Sequence, residues 1–256
     1  MIGLVVVSHS PALAHAAVEL ALQMVPGERP AIAIAAGAGE GLIGTDAAAV
    51  ASAIDEVASP DGVFVLMDLG SAVMSAEMAL ELRTSAVEVR LSSAPFVEGL
   101  IAAFVTAAGG ASLDDVDREA RGALGPKARM LGQPEASAPV APAASSVAPP
   151  VSPSAPAPPR PPTGRTAELS IINPAGLHAR PAARLVSTLA ALDATVTFVN
   201  QRMPNRVVSG SSLIGLLSLG TKAGDVITVC ASGAEADEAL DAIIRLVNDG
   251  FGEVVP

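Results

Sequence analysis

Tryptophan and tyrosine are absent from the 256 residues, and phenylalanine occurs only five times. Without aromatic faces for bases to stack on, the usual platform for single-stranded nucleic acid is missing. Basic charge is also scarce: 15 Lys and Arg stand against 26 Asp and Glu, a net charge of −11. That sign repels a phosphate backbone, so nucleic acid is excluded as a partner. A single cysteine, Cys230, cannot close an intrachain disulfide and fits a reduced, cytoplasmic setting. Long apolar runs free of proline, glycine and serine are missing, which argues against membrane insertion. The apolar run at residues 2–7 has no basic residues before it and breaks at Ser8-His9-Ser10-Pro11, too early for a signal sequence. No cluster with metal-ligand spacing occurs, so neither a metal nor a cofactor is expected.

Half of the residues are hydrophobic, and the length suffices for two domains with cores of Ala, Val, Leu and Ile. The division is marked by residues 134–163, where 11 of 30 residues are proline and nearly all others are Ala, Ser or Val. Such a stretch is expected to be an extended spacer of at most about 90 Å, from roughly 3.1 Å per residue. It separates a domain at residues 1–133 from one at 164–256. The acidity is uneven between them: 16 acidic and 7 basic side chains in the first, 9 and 7 in the second.

In the first segment short apolar runs alternate with helical periodicity, which predicts an α/β domain with a mainly parallel sheet between two helix layers. Strands are expected at residues 2–7, 31–35, 62–67 and 87–91, and helices at 11–25, 46–58, 71–83, 95–108 and 112–124. The second segment predicts strands at 166–171, 195–200, near 207 and at 225–231. Its helices fall at 179–191, 211–217 and 234–248. That order suggests an open-faced α/β sandwich.

The densest chemistry lies in Asn173-Pro-Ala-Gly-Leu-His-Ala-Arg-Pro-Ala-Ala-Arg-Leu185. Asn173, Pro174 and Gly176 break the preceding strand, and Pro181 is tolerated in a first helical turn, so His178 falls at or beside an N-cap. The backbone N–H groups of Ala179 and Arg180, the helix dipole and the Arg180 guanidinium then converge where a phosphoryl group on His178 would lie. The run Gly-Leu-His-Ala-Arg-Pro-Ala resembles the active-site signature of HPr, the histidine phosphocarrier of the bacterial phosphotransferase system. The block Ser211-Ser-Leu-Ile-Gly-Leu-Leu-Ser-Leu-Gly220 resembles its short second helix. The resemblance implies that His178 is phosphorylated, that Arg180 is its anion partner, and that Ser212 stands at a position some HPr proteins use for regulation. Ser211 replaces the usual basic residue there, and capping by Ser211 or Ser212 is the better reading. Leu213, Ile214 and Leu217 are expected to form an apolar docking patch beside His178.

His9 ends the first predicted strand, at the edge where parallel sheets hold their ligands. The loop after strand two supplies Gly37, Gly39, Gly41, Gly44 and Thr45, and the loop after strand three supplies Asp68-Leu-Gly-Ser71. A carboxylate that orients the ring through one nitrogen would suit His9 to accept and release a phosphoryl group. Gly39 to Thr45 nearly spells a P-loop, but its lysine is missing. The dinucleotide pattern fails because Leu42 stands where a glycine is required. Val5-Val-Val-Ser-His-Ser10, Gly41-Leu-Ile-Gly-Thr-Asp46 and Met67-Asp-Leu-Gly-Ser-Ala72 resemble the mannose-type enzyme IIA family, in the variant found in phosphoryl-donor subunits of dihydroxyacetone kinase. That implies phosphorylation at His9, orientation by Asp68, and Thr45 and Ser71 as nearby polar groups. His15 reads as structural or surface, and Glu77 with Glu81 as a solvated face.

Together the resemblances imply a phosphotransferase subunit that relays a phosphoryl group from enzyme I through His178 to His9 and on to ADP in a kinase partner subunit. A carrier for a mannose-family sugar permease and a non-catalytic regulatory protein are the alternatives. They also imply a homodimer through the first domain. No enzyme I-like block occurs in these 256 residues, so enzyme I is expected to act in trans.

Overall fold

The computed structural model describes residues 1–25, 27–39, 42–133 and 164–253. The expected spacer at residues 134–163 lies outside the described residues. The first domain holds four strands, β1 (Gly3–Ser8), β2 (Ile32–Ala36), β3 (Val63–Met67) and β4 (Val89–Ser92), in one parallel sheet of order β2-β1-β3-β4. Central β1 is buried along its whole length, as a strand covered on both faces must be. Because successive side chains alternate, Leu4, Val6, Phe64 and Leu66 turn to one core, and Val5, Val7, Val63 and Val65 to the other.

Five of the six helices of this domain make the outer layers. Helices α1 (Pro11–Leu22), α4 (Phe96–Ala108) and α5 (Leu113–Gly122) cover the first face, and α2 (Ala47–Glu56) and α3 (Gly70–Leu82) the second. The caps follow side-chain chemistry: Ser10 accepts from the Leu13 amide at 3.4 Å, and Asp46 from Ala48 at 2.8 Å. A short further helix, α6 (Gly125–Met130), lies beyond the last helix expected in this segment. Proline in the first turn starts this helix.

The second domain has an antiparallel sheet of order β5-β8-β6-β7, from β5 (Arg165–Ser170), β6 (Thr195–Asn200), β7 (Val207–Ser209) and β8 (Val226–Ser232). Helices α7 (Ala179–Ala190), α8 (Leu213–Ser218) and α9 (Ala236–Asn248) supply the rest of its core with Ile227, Val229 and Ala231. Along β8 buried residues alternate with partly exposed ones, Thr228 and Cys230 among them, so the sandwich is open-faced as expected. Leu213 departs from expectation: it is 1 % exposed and belongs to this core, not to a surface patch. Ile214 and Leu217 are half-buried. Among the described residues no helix is long and apolar enough to cross a membrane.

The two domains pack together, α4 against α7 and α8, and α5 and α6 against α8. Polar contacts fix the register. Glu119 accepts from the Ser212 hydroxyl at 2.8 Å and from the Ile214 amide at 3.1 Å, and Arg129 donates to the Ser218 carbonyl at 3.1 Å.

Candidate functional site

Two histidines stand at the ends of strands or the starts of helices, as the sequence predicts, and each is tied to a carboxylate. His9 follows β1. Its Nδ1 lies 2.8 Å from Asp68 Oδ1, and Asp68 Oδ2 accepts from the His9 amide at 2.8 Å and the Ser8 hydroxyl at 2.9 Å. An ionised carboxylate only accepts, so Nδ1 carries a hydrogen, and in the neutral ring Nε2 keeps the lone pair. Ser71 Oγ lies 2.7 Å from that Nε2, in the first turn of α3. Thr45 does not bond to His9; its hydroxyl shares a 2.7 Å hydrogen bond with Ser75, one turn beyond Ser71. Gly44, at φ +153°, donates to the His9 carbonyl at 3.3 Å, which holds the glycine-rich loop against the strand end.

Burial alone would raise the Asp68 pKa. The His9 amide and ring, the Ser8 hydroxyl and the Leu69 amide all donate to the carboxylate, outweigh burial, and hold it below the ordinary aspartate value.

His178 is the N-cap of α7, with extended backbone (φ −90°, ψ −170°) and no capping bond from its ring. The ring turns instead to Glu253, whose Oε1 lies 2.6 Å from Nε2. Glu253 Oε2 also accepts from Asn173 Nδ2 at 3.1 Å, so the residue that opens the motif helps place the carboxylate. By the same proton argument, Nδ1 of His178 keeps the lone pair. The His178 side chain is 40 % exposed, against 17 % for His9. Arg180 is exposed and lines a cavity with Arg184 and with Leu22 to Met24 at the end of α1.

Gly176 makes the tight approach to this helix. Its φ is +68°, and a Cβ there would come 2.0 Å from the Thr221 carbonyl oxygen, the acceptor of the Leu177 amide at 3.1 Å. Ser212 caps α8 through a bond from the Gly215 amide at 2.8 Å. His15, Glu77 and Glu81 are exposed. Sequence reasoning missed Glu253 and Ser75. Ser75 was findable one turn after Ser71 on a predicted helix, whereas nothing in the sequence ties Glu253 to a residue 75 positions earlier.

Residues 165–249, which contain His178, match the family model "PTS HPr component phosphorylation site". The phosphocarrier protein NPr of Shewanella violacea is 41% identical across 34% of this chain and 91% of its own length. The chain belongs to the HPr family. Ahead of this HPr domain, residues 3–117 match the EIIA-man model, "PTS system fructose IIA component". The PEP-dependent dihydroxyacetone kinase phosphoryl donor subunit DhaM of Escherichia coli K12 is 40% identical across 99% of this chain and 51% of its own length. The protein of the same name from Providencia stuartii is 35% identical with the same coverage. The chain is thus similar to DhaM proteins across both domains, and it spans about half the length of these curated relatives.

Two outcomes follow from the geometry. A folded pKa below the unfolded one means that the Asp68 contribution is complete above about pH 4 and is lost as pH falls through the folded value. Asp68→Asn is therefore expected to destabilise the protein at neutral pH, with the gap closing below about pH 4; urea titrations over that range check it. Gly176→Ala is expected to cost about 1–3 kcal/mol or more through strain at positive φ, read as a lower denaturation midpoint.

Proposed function

We propose that this chain is the phosphohistidine relay subunit of a phosphoenolpyruvate-dependent dihydroxyacetone kinase. One observation carries the reading: each of two imidazoles is held by a carboxylate through one ring nitrogen, which leaves the other nitrogen as the acceptor when the ring is neutral. Enzyme I phosphorylates His178. The HPr domain then gives the group to His9, and His9 passes it to ADP in a partner subunit, which phosphorylates dihydroxyacetone. The chain acts as a phosphotransferase component in the cytoplasm and dimerises through its first domain. Its division is a carrier domain at 1–133, a spacer at 134–163 and a second carrier at 164–256.

When His178 or His9 is loaded, the lone pair of the acceptor nitrogen forms an N–P bond as the donor's bond to phosphorus breaks and its electron pair returns to the donor; in the transfer to ADP a phosphate oxygen forms the new O–P bond as the N–P bond at His9 breaks. Little covalent chemistry is left to the protein, so positioning and charge stabilisation carry the rate. At His178 the receiving atom is Nδ1, beside the amides of Ala179 and Arg180 and within the positive field of the α7 terminus. The Arg180 guanidinium neutralises the incoming oxygens. At His9 the receiving atom is Nε2, where the Ser71 hydroxyl meets the group first and Thr45 serves indirectly through Ser75. Asp68 and Glu253 orient the rings and stabilise the positive charge that each imidazole gains. Ser212 serves as a helix cap, which leaves its hydroxyl engaged.

The test is intact mass at neutral pH after incubation with phosphoenolpyruvate and enzyme I, in the absence of free HPr. Two phosphoryl groups are expected on the parent chain, one on His9→Ala and none on His178→Ala. Label on His9 in the His178→Ala variant would contradict the order of transfer.

A further inference from the structure

Helix α4 reads Phe-Val-Glu-Gly-Leu-Ile-Ala-Ala-Phe-Val-Thr-Ala-Ala, apolar on every side apart from Glu98 and Thr106. A helix of that composition has no face suited to water. One side of α4 packs on β3, and the other lies under α7 and α8 of the HPr domain. The fit is close: a Cβ on Gly109 would stand 3.6 Å from the Ala190 Cβ, and one on Gly122 3.8 Å from Ile214 Cγ2. Glu119 bridges to Ser212 and Ile214, and Arg129 to Ser218.

This contact uses the HPr face that carries His178. The ring opens into a cleft lined by Lys127, Met130 and Leu131 from the first domain and Leu217 and Thr221 from its own. A protein that brings a phosphorus atom to Nδ1 must cover the same surface. Nor does the docked pose serve His9. Among the described residues, every hydrogen-bond partner of the His9 ring and of Asp68 comes from residues 7–71, none from the HPr domain. Helix α4 stands between α7 and the sheet, and packed helix axes are about 8–10 Å apart, whereas reacting atoms must come to about 3–3.5 Å.

We propose that the docked pose is a parked state: the α4–α6 surface of the N-terminal domain is a ligand for the α7–α8 face of its own HPr domain, and an incoming donor has to displace it. The inference rests on His178 being a phosphoryl carrier. Loading is then scaled by the undocked fraction of the chain, because only that fraction presents the face. The same contact that occupies the surface around His178 gives the apolar side of α4 its cover, so one surface serves stability and gating together.

The experiment uses the full chain with Cys230→Ser, Gly109→Cys and Ala190→Cys, whose Cβ atoms would stand 3.6 Å apart, close enough for a disulfide. Oxidation is expected to form the bond and slow loading of His178 by enzyme I and phosphoenolpyruvate at least about tenfold, with reduction restoring it. Glu119→Lys, which sets a cation where the Ser212 and Ile214 donors now find an acceptor, is expected to raise loading several-fold at limiting enzyme I. Failure of the disulfide to form, loading of the oxidised chain at the parent rate, or an unchanged rate for Glu119→Lys overturns the parked state. If the disulfide forms and even the parent chain takes no label, the carrier reading itself has failed, and this inference falls with it.

Discussion

A carboxylate against an imidazole is the constraint on which the reacting groups of both domains depend. A histidine ring with neither nitrogen fixed can rotate and exchange tautomers; a carboxylate at one nitrogen fixes ring plane, proton and lone pair together. Asp68 does this for His9 through Nδ1, and Glu253 for His178 through Nε2. The two domains thus reach the same chemical result with opposite nitrogens. In the first, the carboxylate comes from the neighbouring strand end, where the Asp68 amide also donates to the Val7 carbonyl at 3.2 Å. In the second it comes from beyond the last helix.

Each fold explains why that arrangement is available. A parallel sheet gathers strand ends and helix starts at one edge, so His9, Asp68 and Ser71 meet although they are spread over about 60 positions. The antiparallel sandwich has no such edge. It makes its site at one helix terminus, with Gly176 pressed against the Thr221 carbonyl so that α7 begins at His178. A group at the first site is half-enclosed, and at the second more exposed, which suits a carrier that meets more than one protein.

Much of this was legible in the residues. Pro and Gly punctuation placed His178 at its N-cap, and alternation of apolar runs with helical periodicity placed His9 and Asp68 at one sheet edge. A hydroxyl before an apolar run pointed to Ser211 or Ser212 as the cap of α8, and Ser212 is the one that caps it. Other features depend on tertiary packing that local pattern does not encode. Glu253 meets His178 only once the chain after α9 folds back, and Leu213 looked exposed because a six-residue helix shows too little periodicity to separate core from surface. The interdomain contact did leave a trace, since α4 is apolar on nearly every side and a helix with one solvent face is not. Weighing that composition would have foretold a second covering layer.

The central claim is that the carboxylate decides which nitrogen of each ring reacts. Phosphorus–nitrogen couplings measured by NMR on the fully phosphorylated chain, with its histidine ring nitrogens labelled, test it most directly. The account predicts phosphorus on Nδ1 of His178 and on Nε2 of His9, with His9→Ala and His178→Ala used for assignment. Phosphorus on Nε2 of His178, the nitrogen that Glu253 holds, or on Nδ1 of His9, the nitrogen that Asp68 holds, would contradict it.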